Sequence, residues 1–456
     1  MAFWSVSSDG VDNACQDPHN HAVPASARLL SDSIAVAVVA ALLTVATSAN
    51  ATAARGSNPR PSIVILQSDA DPRAVASSVG AAPRHAYTNV LKGFAANLTG
   101  SQRRRLDGDE RVLSVADDGV TRQRRPHSAA LRRGLAAQLV PFGIERVGAL
   151  NSPTADIDGE DHPIDSDVAV LDSGVAHHPD LSVAGGTDCV SGGSFDDHDG
   201  HGTMVAGIIG AKDNGLGVVG VAPGVRIWAV RVMDSRGKIT DSAFLCGLDW
   251  VHQHAGEIDV VNMSLGGPGV DTGTCGLVDD QVVDPFHLSI CGLVQAGVVV
   301  VTSAGNDSAD AATAAPAAFP EVITVSAFAD TDGRRGGQGP PARCDRGPTF
   351  HDDRFAPFSN FGAPVDVAAP GVCTISTFPP GIPGTAPTCE QGCYARSTGT
   401  SFAVPHVAGA AALLKAHHPD WTPVQIRQHI IATTEPGPVP GDPDNFPEGI
   451  LNVKGY

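Results

Sequence analysis

Gly399-Thr-Ser-Phe-Ala-Val-Pro-His-Val-Ala-Gly409 sets a serine, Ser401, where a Gly-Thr turn runs into a long Ala-rich helical stretch. Two strings upstream give that serine its meaning. Val168-Ala-Val-Leu-Asp-Ser-Gly174 is an apolar run ending on Asp172, and Asp199-Gly-His-Gly-Thr-Met-Val-Ala-Gly207 carries His201 between two glycines. A serine hydroxyl becomes a nucleophile when a base takes its proton and a third group holds that base in one tautomer. Taken singly, each string has a plainer reading: Asp172 as a helix cap, His201 as a satisfied histidine, Ser401 as an ordinary N-cap. Asp, His and Ser in that chain order, each in a glycine-punctuated setting, favour the catalytic reading.

Working outward, residues 168–171, 227–232, 260–263, 298–302 and 322–325 are continuous β-branched-rich runs, as expected of strands buried on both faces. Between them lie helix candidates at 201–209, 240–254 and 288–296, and residues 402–417 and 422–433 supply a closing helical pair. Strands alternating with helices predict a mostly parallel α/β sheet. The tail from Pro436 is Pro/Gly-rich and too short for another domain. Residues 62–118 change character: a strand at 62–66, a short helix at 71–79, a hairpin over 85–98, a helix at 102–107 and a strand at 111–116 predict a small α+β unit. A basic link, 119–137, follows and contains Arg122-Gln-Arg-Arg125. It reads equally as an exposed cleavage region and as a solvated linker.

Charge divides the chain. Through Ala137 there are 15 Lys+Arg against 11 Asp+Glu; the remainder has 15 against 38, and the formal net charge is −19. A basic leading part on an acidic body predicts mutual attraction, and the acidic body argues against nucleic acid as a partner. Residues 34–46 (IAVAVVAALLTVA) are too short to span a bilayer comfortably and suit a signal-peptide core, with Ala-x-Ala sites following at 49–51 and 51–53. Residues 1–53 are therefore expected to be a leader, the protein secreted and without a stable membrane anchor. A signal anchor is the alternative. Nine cysteines fit an oxidising compartment. Cys275–Cys291 is expected to staple a local loop and Cys189–Cys246 to form a longer bridge. A zinc cluster has no CxxC pair to support it.

The three strings resemble those of the subtilisin-like serine peptidases, and the resemblance runs from about Gln138 to Thr434. It implies a three-layer α/β/α domain over 138–456, with Asp172, His201 and Ser401 as a catalytic triad. Residues 62–118, with Leu91-Lys-Gly-Phe-Ala-Ala-Asn-Leu98, are similar to the family's ferredoxin-like inhibitory propeptide. Two further strings match. Ser303-Ala-Gly-Asn306 places Asn306 where the family has its oxyanion-stabilising amide. Asn262-Met-Ser-Leu-Gly-Gly267 resembles the edge that pairs with an extended substrate, so Ser264, Leu265, Gly266, Ser303, Ala304 and Gly305 are the expected substrate-binding residues. The chemistry implied needs no cofactor. Calcium is common as a structural ion in the family, and no ligands are assigned. A monomer is expected, with its own propeptide as intramolecular inhibitor and protein or peptide as substrate.

Departures from the family pattern are Phe402, where Met is usual, and Met204, where His is usual. Residues 271–291 and 330–355 are longer than in its simplest members. Three other readings compete. Asp172-Ser-Gly and Asp271-Thr-Gly have the form of paired aspartic-protease loops, but leave His201, Asn306 and Ser401 unused. Asp196, Asp197, His198, Asp199 and His201 form an oxygen- and nitrogen-rich cluster without regular metal-ligand spacing. A catalytically dead binding protein on the same fold is opposed by the intact quartet Asp172, His201, Asn306 and Ser401.

Overall fold

The computed structural model describes residues 58–123, 129–130, 137–278, 281–282, 284–344, 347–382 and 392–456. The expected leader, most of the basic link and Cys389 lie outside the described residues.

The first part of the described chain is a small sheet with two helices. β1 (Arg60–Leu66) is followed by α1 (Pro72–Ser78), β2 (His85–Tyr87), β3 (Gly93–Leu98), α2 (Gly100–Asp107) and β4 (Val112–Asp117). The strands pair antiparallel in the order β2-β3-β1-β4. Asp71 caps α1 by accepting from the N–H groups of Arg73 and Ala74, and Thr99 with Gln102 forms a capping box on α2. Because side chains alternate along a strand, β1 serves two cores. Val64 and Leu66 pack with Val75, Phe94, Leu98 and Leu106. Ile63 and Ile65 face the other way and join Tyr87, Leu91, Ala95 and Leu245 of the body.

Next come β5 (Val120–Arg122), β6 (Asp167–Asp172), β7 (Ser182–Asp188), α3 (His201–Gly210), β8 (Arg226–Arg231), β9 (Lys238–Thr240) and α4 (Asp241–Gln253). β10 (Val260–Met263), α5 (Pro285–Gln295), β11 (Val299–Ser303), β12 (Ile323–Ala329), β13 (Arg354–Phe355) and β14 (Val367–Pro370) follow, and α6 (Thr400–His417), α7 (Pro423–Ala432) and β15 (Gly449–Ile450) close the chain. A nine-stranded sheet runs β15-β14-β12-β11-β10-β6-β8-β7, with β13 pairing the side of β12 antiparallel; the other pairings are parallel.

Both faces of this sheet are dry. Val168, Val170, Val299, Val301, Ile323 and Val325 share one core with α3 and α6, while Ala169, Leu171, Val261, Met263 and Val300 pack on α4 and α5. The continuous apolar runs are thus central parallel strands between two helical layers. The three-layer α/β/α expectation holds.

Boundaries moved by a few residues, for local reasons. α5 begins at Pro285, three residues earlier than expected, because Asp284 caps it through the N–H groups of Phe286 and His287. β7 escaped the apolar-run criterion because it contains Gly185 and Gly186; a Cβ on Gly186 would sit 2.0 Å from the Ala229 carbonyl oxygen of β8. The tail from Pro436 contributes β15 to the sheet edge. Cys189 is bonded to Cys246 and Cys275 to Cys291, and Cys344–Cys373 is a further bridge that had not been assigned.

Candidate active site

Parallel strands end at one edge of the sheet, where loops collect functional groups. Asp172 is the last residue of β6 and has no exposed surface. His201 opens α3, and its Nδ1 lies 2.8 Å and 2.9 Å from the two carboxylate oxygens of Asp172. The backbones must come close for this. A Cβ on Gly202 would stand 2.1 Å from the Gly174 carbonyl oxygen and 3.1 Å from the Asp172 Cβ. Burial disfavours the charged imidazolium, but the Asp172 carboxylate, with Asp199 and Asp197 behind it, outweighs burial and raises the His201 pKa above its ordinary value.

Asp197 braces the loop that delivers His201. Its Oδ1 accepts from Ser173 Oγ, Asp199 N and Gly200 N, and its Oδ2 from Thr203 N and Oγ1. Ser173 Oγ in turn accepts Gly202 N at 3.0 Å. Asp197, one of the oxygen- and nitrogen-rich cluster noted in the sequence, is 5% exposed and spends both oxygens on this loop rather than on a metal.

Ser401 lies in the first turn of α6, 8% exposed. Its hydroxyl donates to the Ser264 carbonyl oxygen at 3.2 Å, and Ser264 Oγ donates to the Ser401 carbonyl oxygen at 2.8 Å. The hydroxyl must leave Ser264 to meet His201 Nε2, a shift commonly left to substrate binding. Phe402 is fully buried, with its ring centroid 5.3 Å from that of His201. Asn306, in the loop after β11, accepts Thr400 N and Oγ1 at Oδ1, at 2.8 and 3.0 Å. Pinning that oxygen leaves the Nδ2 hydrogens for the cleft, which Asn306 lines. Asn360, which sequence reading missed, holds this loop by donating to Ala304 O and accepting Asp307 N and Ala309 N. Its partners are more than fifty residues away, so no local pattern marks it.

His201, Asn306 and Ser401 line one cavity of about 610 Å³ together with Gly266, Ser303, Ala304 and Gly305. Ser264 and Leu265 are buried behind it, Ser264 against Ser401 and Leu265 accepting Ser303 Oγ. Thr121, Arg122 and Gln123 of the link line the same cavity. β5 pairs antiparallel with β9, Thr121 opposite Ile239, Gln123 N donates to Gly237 O at 2.8 Å, and Gln123 Nε2 donates to Gly266 O. A stretch of the chain therefore occupies its own cleft as an added strand.

The small α+β unit sits against α4. Asp118 accepts from Ser242 N and Oγ, Tyr87 Oη donates to Ser242 O, and Gly119 N donates to Asp241. Asp249 accepts the N–H groups of Thr88, Asn89 and Val90. The attraction expected between basic and acidic parts takes another form here: carboxylates receive neutral N–H groups, and Arg84 pairs with Asp118 of its own unit.

The competing motifs separate. Asp271 lies beside His287, 3.6 Å from its Nδ1, while Asp172 faces His201. Among the described residues, Asp156, Asp158 and His162, and Asp330, Asp352 and Asp353, bring ligand atoms within 4.8 Å of one another, as do Cys275, Cys291 and Glu321, whose cysteines are bonded together. The buried aspartates already hold loop N–H groups of Thr331, Gly333, Gly336, Gly337 and Gly339, and Asp353 also pairs with Arg146. That donor set folds the loop and does not favour an ion.

A parallel sheet layered by helices, with a buried Asp–His pair and a helix-initial serine at its edge, is the architecture of a serine hydrolase. The profile of the subtilase family (peptidase S8) matches residues 165–456. Subtilisin NAT of Bacillus subtilis subsp. natto is 33% identical over 374 residues, covering 81% of this chain and 80% of the relative. The subtilisin of Bacillus pumilus is 35% identical over 324 residues, covering 70% and 98%. Among solved structures, a cold adapted subtilisin-like serine proteinase superposes with a TM-score of 0.51 at 29% identity, covering 68% of this chain and 97% of that one. The chain belongs to the subtilase family and is a serine-type endopeptidase.

Proposed function

We propose that this is a secreted endopeptidase made as a self-inhibited zymogen, with Ser401 as nucleophile. His201 Nε2 takes the hydroxyl proton as Oγ bonds to the scissile carbonyl carbon, and the carbonyl π electrons move onto oxygen. Asp172 fixes the imidazole through Nδ1–H and stabilises the imidazolium. Asn306 Nδ2 and the Ser401 N–H stabilise the oxyanion. When the tetrahedral species collapses, His201 returns the proton to the departing amine; water then repeats the sequence on the acyl-enzyme. Substrate runs extended through the cleft, between the 264–266 and 237–239 edges, with Ser303, Ala304 and Gly305 walling a side-chain pocket. The chain's own side chains and the Ser401 main-chain N–H supply the groups this chemistry needs.

Residues 62–118 act as the intramolecular inhibitor, and the link is cut between about 123 and 138. The observation that carries this reading is the shared cavity: His201, Asn306 and Ser401 line the groove that residues 121–123 also line, Thr121 and Arg122 as part of an added strand. Residues 1–53 direct secretion, and the mature form acts as a monomer. A serine-directed phosphonofluoridate tests the nucleophile. Peptide mapping should find one adduct on Ser401, formed far more slowly in His201→Ala. An adduct elsewhere with activity lost, or none, overturns the assignment.

A further inference from the structure

The catalytic cavity carries an uneven charge. Among the described residues that line it, the charged side chains besides His201 are Arg122, Asp199 and Asp307. Arg122 belongs to the link, which maturation removes, whereas Asp199 and Asp307 belong to the body and stay. Asp199 lies two residues before His201, and Asp307 directly follows Asn306. Both are set in place by buried braces. Asp199 N donates to Asp197 Oδ1 at 2.9 Å, and Asp307 N donates to Asn360 Oδ1 at 3.0 Å. The groups that hold the His201 and Asn306 loops therefore also fix the two carboxylates relative to the reacting atoms.

A cleft lined by one sign of charge concentrates ligands of the other sign. The chain itself supplies a matching segment. Arg122 of β5 lines the cavity, and the link offers adjacent arginines at Arg124-Arg125 and again at Arg132-Arg133. No Asp or Glu occurs between Gly119 and Gln138. Successive side chains of an extended strand point to opposite sides. In a substrate bound as a strand, one side chain follows the 303–305 wall, which runs on to Asp307, and the preceding one faces the His201 loop and Asp199.

We propose that the cleft selects substrates with two consecutive basic residues before the scissile bond. Asp307 receives the side chain of the residue whose carbonyl Ser401 attacks, and Asp199 that of its neighbour. This selectivity rests on the catalytic reading above and adds the substrate class to it.

Mature enzyme is tested on four internally quenched peptides that differ only in the two residues before the cut bond: Arg-Arg, Arg-citrulline, citrulline-Arg and citrulline-citrulline. Citrulline keeps the shape of arginine without its charge. Replacing the arginine at the cut bond should lower kcat/KM about fivefold, because Asp307 is exposed and water screens it. Replacing its neighbour should cost about tenfold, since Asp199 is half-buried. Asp307→Asn should erase the first factor only, and Asp199→Asn the second only. Each factor is a ratio within one protein, so a general change in rate cancels, including the one that Asp199→Asn causes through His201, whose pKa Asp199 helps to raise. Wild type that digests casein but treats the four peptides alike overturns the selectivity and leaves the peptidase reading standing. Discrimination that survives in both variants overturns the assignment to Asp199 and Asp307. If neither casein nor any peptide is cut, the catalytic reading falls and the selectivity with it. The wild-type series decides the substrate class even where a variant does not fold.

Discussion

Asp249→Ala separates docking of residues 62–118 from catalysis. Asp249 is 6% exposed and receives Thr88 N at 3.2 Å, Asn89 N at 2.8 Å, Val90 N at 3.1 Å and Asn89 Nδ2 at 3.0 Å. Hydrogen bonds to a charged acceptor contribute about 1.5–3 kcal/mol each. Four bonds share one carboxylate and water refills part of the truncated site, so they do not add. About 3 kcal/mol is the working figure, which corresponds to roughly 100-fold weaker binding. The assay is inhibition of the mature enzyme by separately produced residues 58–123, with wild type and Asp249→Ala compared on one small peptide substrate. The inhibition constant should rise roughly 100-fold while kcat/KM stays unchanged, because Asp249 lies on α4 and not in the cleft. Asp249→Asn, which keeps an acceptor oxygen, should fall between. A change of under about fivefold with an intact fold would refute the assigned role, since even one charged hydrogen bond is worth more.

Three further outcomes are expected. Asn306→Ala should lower kcat by about 10²–10³ with little change in KM, because the amide meets charge that develops only in the transition state; a loss confined to KM would contradict that. Phe402→Met should make activity more sensitive to peroxide than wild type, since it places a thioether beside His201 on the wall of the cleft; equal inactivation of both proteins would sink the idea. Burial, only partly offset by Arg146 and aggravated by Asp352, pushes Asp330 up to about 8 from 3.8. A raised carboxyl favours the fold while protonated, so its contribution is complete below pH 4 and lost as pH climbs to 8. Thermal melts should therefore show Asp330→Asn gaining on wild type across that window; a difference independent of pH would be wrong for this mechanism.

Much of the fold was legible because its signals are local. Residues 168–171 and 298–301 are apolar without interruption, as expected of strands covered on both faces. Asp172, His201 and Ser401 announce themselves through neighbours that must be small, as Gly202 is where α3 meets the Gly174 carbonyl. What stayed hidden depends on partners far along the chain. Asp197 became legible as a brace only once Ser173 and Thr203 were seen to share it, and Asn360 only beside Ala304. β7 was obscured by glycines demanded by β8, and β15 by being two residues long. Cys344–Cys373 joins a loop to the turn after β14, a pairing that spacing alone does not rank above others. Docking of α4 on residues 87–91 was invisible for the same reason: Asp249 reads as a solvated helix position until Asn89 is placed on it.

The central claim is that Ser401 cuts the chain's own link and then other proteins. Wild type and Ser401→Ala, expressed side by side as full-length precursors, should be compared by mass spectrometry of the secreted amino termini and by casein hydrolysis. The account predicts wild type trimmed between about residues 123 and 138 and active, with Ser401→Ala retaining residues 62–118 and inert. Equal trimming and equal activity in both would contradict it.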